Sequence, residues 1–85
     1  MRHTPDFTLP NGIMIECKER LLTLDRMKHR LIKLLHAQLD IRFVLRNPDA
    51  PIGPDSKTTY AQWCDKLGIK WSKGSIPQEW LGERA

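Results

Sequence analysis

The chain has little of what marks secreted, disulfide-built or membrane-spanning proteins. Its 85 residues include only two cysteines, Cys17 and Cys64, which are too few for a disulfide scaffold and lie in no metal-type spacing. No apolar run approaches the roughly 18–20 residues that cross a bilayer. The first residues also lack the apolar segment of a secretory signal. We therefore expect reduced thiols, a cytoplasmic protein and no membrane partner.

Length and composition are typical of one small globular domain over residues 1–85. The sequence is 40% hydrophobic and 28% charged, which excludes a disordered chain. A chain of this length buries only about 60–65% of its unfolded surface, so its core is thin.

The positive charge is unevenly distributed. The net charge is +4, and residues 1–46 carry nine basic and five acidic side chains, whereas residues 47–85 carry five of each. A basic half suits a polyanion such as nucleic acid, because each phosphate contact releases counterions. A solvated basic helix face is the alternative interpretation of the same pattern.

The first part of the chain predicts a β–β–α–β unit. Residues 7–9 and 13–18 alternate like strands around Asn11-Gly12, a strong hairpin signal because both residues tolerate positive φ. Residues 24–37 form a predicted helix, capped by Thr23 or Asp25, and residues 40–46 form a third strand of the same sheet. The helix carries an apolar stripe of Leu24, Met27, Leu31, Leu34 and Leu35, and its remaining surface carries Arg26, Lys28, His29, Arg30 and Lys33.

The second part predicts a long loop and three short elements. Residues 47–56 contain three prolines and form the loop. Thr59 opens a second helix with a capping-box spacing, and Gly68 suits its C-terminal end. Residues 69–71 are a predicted strand and residues 77–81 a helical turn. We expect Trp63, Trp71 and Trp80 to serve packing rather than base stacking, and Cys64 to be buried.

The candidate chemistry lies on the predicted hairpin. Folding at Asn11-Gly12 brings Asp6 beside residues 16–18, and strand alternation places Glu16 and Lys18 on one face. Two carboxylates make a hard-oxygen site suited to Mg²⁺, to which the carbonyl of Cys17 could add an oxygen. Lys18 would orient water or neutralise developing charge during phosphodiester hydrolysis. The plain alternative is a capping aspartate and a surface Glu/Lys pair.

The surrounding residues resemble a known family. Residues 4–18 read T-P-D-F-x-L-P-N-G-I-x-x-E-x-K, and this pattern closely resembles the phage endonuclease I family of Holliday-junction resolvases. The resemblance continues through D-R-x-K-H at 25–29, L-D-I-R at 39–42, T-Y at 59–60, Cys64, G-I-K at 68–70 and I-P-x-E-W at 76–80.

The resemblance implies an α/β restriction-endonuclease-like fold with a PD-(D/E)xK core, in which a short mixed sheet is flanked by helices. It also implies Mg²⁺- or Mn²⁺-dependent cleavage of branched DNA in a bacterial host cell. Carried over by position, Asp6 and Glu16 would hold the metal ion and Lys18 would be the catalytic lysine.

The same resemblance raises the expectation of an N-terminally truncated, incomplete site. Family members carry a preceding segment with another catalytic glutamate and with a strand that is exchanged between subunits. No carboxylate precedes Asp6 here, and Glu19 is expected on the opposite strand face from Glu16. We therefore expect a homodimer, or a separate chain that supplies the missing segment. The alternative is a catalytically incomplete DNA-binding or interaction module, the remnant of a split or truncated nuclease.

Several basic side chains outside this motif are candidates for phosphate contacts, although a solvated role fits them equally well. A zinc site is not expected at His29 and His36, because no cysteine accompanies them. The candidate DNA-binding residues are Arg26, Lys28, His29, Arg46 and Lys57.

Overall fold

The fold is built on a four-stranded sheet with helices on both of its faces. The computed structural model describes residues 5–83, so Thr4 of the motif and the first three residues, where a secretory signal would begin, lie outside it. No helix within this range is long and apolar enough to span a bilayer. The elements are β1 (Phe7–Thr8), β2 (Met14–Lys18), α1 (Thr23–Leu35), β3 (Ile41–Leu45), α2 (Tyr60–Leu67), β4 (Trp71–Lys73) and α3 (Gln78–Gly82).

The strands follow one another across the sheet in chain order. β1 pairs antiparallel with β2, whereas β2, β3 and β4 run parallel. The predicted β–β–α–β order is thus confirmed, with α1 as the crossover between β2 and β3. The last predicted strand is shifted: it occupies 71–73 rather than 69–71, and Ile69 is instead a buried core residue just after the end of α2.

The hairpin turn differs from the predicted Asn-Gly turn. The Gly12 N–H donates to the Leu9 carbonyl at 2.9 Å, so Pro10 and Asn11 occupy the centre of the turn. Within this turn Gly12 takes a positive φ, of 90°, and Asn11 does not. A turn followed by a left-handed glycine is the usual three-residue hairpin connection. The hairpin was therefore predicted at the right place, but with the wrong turn geometry.

Each face of the sheet has its own apolar cluster, as strand alternation requires. On one face Phe43 and Leu45 pack beneath α2 with Tyr60, Cys64 and other core residues. On the opposite face Ile13, Ile15 and Val44 pack against Trp80 of α3. Cys64 is buried as expected, and burial raises the pKa of its thiol to about 12.

Helix α1 contacts the sheet through an unexpected face. Its buried residues are His29 and Ile32, whereas the apolar stripe predicted from the sequence is exposed. The prediction that His29 belongs to the polar outer surface is therefore wrong. The face of α1 that packs on the sheet is small and consists of His29 and Ile32. The rings of His29 and Phe43 lie edge to face, with 4.8 Å between their centroids.

The start of α2 is capped by Thr59 as predicted, whereas the N-cap residue of α1 is Leu22, which has no side-chain cap hydrogen bond, rather than Thr23 or Asp25. Asp25 accepts a hydrogen bond from the Leu22 N–H at 3.3 Å at the start of α1. At α2, Thr59 and Gln62 exchange hydrogen bonds in a complete capping box, and Gly68 ends the helix with a φ of 69°. These caps satisfy N–H groups that would otherwise lack partners.

A buried arginine joins α3 to the sheet. Arg42 is 2% exposed, and its guanidinium donates to both oxygens of Asp40 and both oxygens of Glu83 at 2.6–2.9 Å. It also lies over the Trp80 ring, 5.2 Å from the centroid. Two carboxylates and an aromatic face thus compensate the charge on Arg42, which burial alone would penalise.

This cluster predicts a specific loss of stability in acid. Hydrogen bonds from Arg42 lower the pKa of Asp40 and of Glu83. Such carboxylates stabilise the fold above their unfolded pKa of about 4, and that contribution is lost as the pH falls through their folded pKa. In urea denaturation between neutral pH and about pH 3, the native chain should lose more stability than its Arg42→Met variant. An equal loss in both proteins would contradict this.

Candidate active site

The hairpin brings the first candidate carboxylate to the second. Phe7 pairs with Ile15 and Thr8 with Met14, so the same register places Asp6 opposite Glu16. The Oδ2 atom of Asp6 accepts a hydrogen bond from the Cys17 N–H at 2.8 Å. The backbone of β2 therefore anchors the Asp6 carboxylate at the end of the sheet.

Glu16 is a buried carboxylate beneath α1. It is 4% exposed, and its Oε2 lies 3.9 Å from Nε2 of His29, beyond normal hydrogen-bonding distance. Burial raises the pKa of Glu16, and the nearby Asp6 charge adds to this effect, while Lys18 and Lys28 oppose it. An additional cation near Glu16 would stabilise its charged form, which removal from water disfavours.

Lys18 and the Cys17 thiol leave β2 on opposite faces. Lys18 shares the Glu16 face, is half-buried, and is the strongest charge that lowers the pKa of Glu16. The Cys17 side chain is exposed on the other face, and desolvation together with the Asp6 and Glu16 charges raises the pKa of its thiol. The Asp6 and Glu16 charges both act on the Cys17 thiol, so the two carboxylates lie close enough to this end of β2 to act on a cation there together. The proposed role of the Cys17 carbonyl stays a prediction.

The donor set is limited to the two carboxylates. In the part of the chain from 5 to 83, no three His, Cys, Asp or Glu side chains are gathered so that they could hold a metal ion. Mg²⁺ differs from structural zinc in this respect, because it is held through one or two carboxylates and keeps several waters. Asp6 and Glu16 fit that kind of site and leave positions for further oxygen ligands.

Two of the candidate DNA contacts have structural roles. His29 is only 3% exposed on the side of α1 that faces the sheet, where it packs beside Glu16 and Phe43, so it offers little surface for the predicted contact with DNA. Arg26 is half-buried, and its guanidinium donates to the carbonyls of Leu21 and Ile52. It thereby ties the start of α1 to the proline-rich loop.

The other three candidates remain at the surface. Arg46 is 77% exposed in its side chain and forms an ion pair of 2.7 Å with Glu19, on the face away from Glu16. Lys57 is exposed in the loop, and Lys28 is half-buried near Glu16. Their roles in DNA binding stay predictions.

Asn11 is a positioning residue that sequence reasoning assigned only to the turn. Its Nδ2 donates to the carbonyls of Trp80 and Glu83, each at 2.7 Å. These bonds tie the tip of the hairpin to α3, and they help to hold the strand on which Glu16 and Lys18 lie. Its partners are about 70 residues away in the chain, so no local pattern indicates them.

Comparison with known proteins decides the family. The sequence profile described as Phage endonuclease I matches residues 1–85. The chain belongs to the phage endonuclease I family. It is 44% identical over 81 residues to Endonuclease I of Escherichia phage T7, an alignment that covers 95% of this chain and 54% of that protein. It is 45% identical over 75 residues to Endodeoxyribonuclease 1 of Enterobacteria phage T3, with 88% and 49% covered.

This phage endonuclease I family member therefore spans about half the length of the relatives it matches. Both names describe enzymes that cut within nucleic acid chains, one of them explicitly DNA. The region that matches the family includes Asp6, Glu16 and Lys18, the residues of the candidate site described above.

Proposed function

We propose that the chain carries the metal-binding part of a phage endodeoxyribonuclease that hydrolyses phosphodiester bonds in branched DNA. The observation that carries the proposal is the pairing of Asp6 with the buried Glu16 across β1 and β2, with Lys18 on the Glu16 face. The names of the relatives support DNA as the substrate. We also propose that the sheet is a PD-(D/E)xK core, since its acids and lysine follow that motif.

In this proposal Asp6 and Glu16 would hold Mg²⁺ or Mn²⁺. The metal ion supplies Lewis acidity toward the scissile phosphate and a water molecule of lowered pKa. Asp6 is presented by its bond to the Cys17 N–H, and Glu16 is kept from bulk water by α1. The Lys18 ammonium, two residues along the same face, neutralises negative charge that develops on the phosphate.

Two carboxylates are a small donor set, and this favours completion of the site by another chain. We propose that a second copy of the protein, or a separate polypeptide, contributes the further acid. The reduced state expected of Cys17 and Cys64 fits action in the cytoplasm of a bacterial host.

The small number of potential metal ligands also supports a second candidate function. Since no three potential ligands converge in residues 5–83, the chain could bind DNA or a partner without cutting. The two proposals differ in their dependence on divalent metal. A nuclease needs the metal for turnover, whereas a binding module retains its affinity for DNA in EDTA.

The test combines a binding measurement with a cleavage assay. Mg²⁺ and Mn²⁺ should raise the melting temperature of the native chain, because they bind the folded site, and should leave that of Glu16→Gln nearly unchanged. Cleavage of four-way and linear DNA should then be measured with the chain alone, and with the polypeptide that its relatives carry outside the matched region. The nuclease proposal predicts metal-dependent cutting that is faster on the four-way substrate.

Equal stabilisation of both proteins by metal would contradict the assigned ligands. Metal-independent DNA binding without cleavage, in the presence of the added polypeptide, would support the binding module instead.

A further inference from the structure

The outer face of α1 carries an apolar seam that the rest of the fold does not use. Leu24, Met27, Leu31 and Leu34 recur at spacings of three, four and three residues, the a and d positions of two heptads. Leu24 is 78% exposed and Leu34 77%, while the helix faces the sheet with His29 and Ile32. Large apolar side chains clustered in water mark an interaction surface.

The seam lines a shallow, open groove on the outer side of α1. The groove has a volume of ≈ 870 Å³, and it extends from α1 to Leu67 at the end of α2. Seven of its eight lining residues belong to α1, so a helix laid along α1 would cover them, as in helix-in-groove recognition. DNA is a poor occupant because protein–DNA interfaces are polar, whereas this surface is lined mainly by apolar side chains that offer no hydrogen bonds to the phosphate backbone.

The rim of the groove is basic. Lys28, Arg30 and Lys33 line it, and none of its lining residues in the described range is acidic. Lys28 and Arg30 hold the e and g positions beside the seam, where charges select the partner of a helix pair. A second copy of α1 would bring cations against cations, which disfavours self-association.

We propose that α1 docks an amphipathic helix of a partner protein, one with an apolar seam of leucine-like side chains and acidic flanks. The leucine seam supplies the buried apolar contact, and the three basic side chains select for the acidic flanks. The leucine seam lies on the opposite side of α1 from His29, and Lys28, at its edge, is the lining residue whose charge also acts on Glu16. The proposal stands independently of the nuclease proposal, and neither depends on the other's test.

The test uses the full 85-residue chain and two labelled helical probes. Each probe is a peptide of about 21 residues, or three heptads, with leucine at every a and d position. One carries glutamate at every e and g position, and the other carries lysine. Fluorescence anisotropy should show that the glutamate peptide binds at least about tenfold more tightly than the lysine peptide, and that added salt narrows the difference.

Two variants locate the binding, and a third serves as a matched control. Leu31→Asp and Leu24→Asp replace exposed leucines on the seam, and each should weaken binding of the glutamate peptide at least about tenfold. Leu81→Asp makes the same change at an exposed leucine on α3 and should leave binding unchanged. Circular dichroism should show that all three variants remain folded, because none of these side chains is buried.

Other results would overturn the proposal. If both peptides bind equally well, or if neither binds, the partner is not a helix selected by its acidic charge. A dimer detected by light scattering that Leu31→Asp dissolves assigns the seam to a second copy of the chain. Binding to vesicles that contain anionic phosphatidylglycerol, lost in Leu31→Asp, assigns it to a membrane surface.

Discussion

Glu16→Gln should reduce metal-dependent DNA cleavage by about 10²–10⁴-fold, and Lys18→Ala should have an effect of similar size. Glutamine keeps the shape of the buried side chain, but it removes the charge that, in our proposal, holds the metal ion. Alanine removes the ammonium group that offsets charge on the phosphate. Asp6→Asn should behave like Glu16→Gln, since it keeps an oxygen acceptor for the Cys17 N–H while losing the negative charge.

The measurement is the single-turnover cleavage rate on a four-way substrate, in whichever combination of chains shows activity. Glu19→Gln is the matched control for Glu16→Gln, because Glu19 is exposed and paired with Arg46 on the far side of the strand. Lys66→Ala, at an exposed position of α2, is the control for Lys18→Ala. Both controls should cleave at the native rate.

DNA affinity separates a chemical defect from a binding defect. The three site variants should bind four-way DNA within about threefold of the native chain, since one charge contributes little beside a basic surface. Cleavage at the native rate by Glu16→Gln or Lys18→Ala would refute the catalytic assignment. A parallel loss of binding and cleavage would place these residues in DNA recognition.

Much of the fold could be predicted from the sequence because many of its features depend on interactions between residues only a few positions apart. The capping box of Thr59 and Gln62, the left-handed Gly68 and the position of the hairpin are all short-range features, and each was found where expected. Element ends differ by one or two residues, as is usual for fraying ends. The hairpin turn differs in shape from the prediction, and its Asn11 donates to the carbonyls of Trp80 and Glu83, which are far along the chain.

The orientation of α1 was not predictable from its own pattern. Periodicity shows that a helix has an apolar stripe but not which surface that stripe meets. Here the side that meets the sheet carries His29, and a histidine on a basic helix resembles a solvated residue until Glu16 and Phe43 are placed beneath it. The candidate acids could be paired from the sequence because the hairpin joins them locally. Their supports, His29 and Asn11, required the tertiary structure.

Arg42→Met should lower the free energy of unfolding by about 2–3 kcal/mol, the largest effect on stability that we expect from a single charged residue. Methionine can fill part of the buried space, so the loss arises mainly from four charge-assisted hydrogen bonds and the contact with Trp80. Asp40 and Glu83 are partly exposed and regain water, which keeps the cost below that of stranding two buried charges.

Arg46→Met provides the matched control for this prediction. Arg46 also forms a short ion pair with a glutamate, but both side chains are largely exposed, and such pairs contribute about 0–1 kcal/mol. Urea denaturation at neutral pH should therefore separate the two variants clearly. If Arg46→Met destabilised the chain as much as Arg42→Met, burial would not explain the role of Arg42. In that case the attachment of α3 to the sheet would have to depend on Asn11 and the apolar contacts of Trp80.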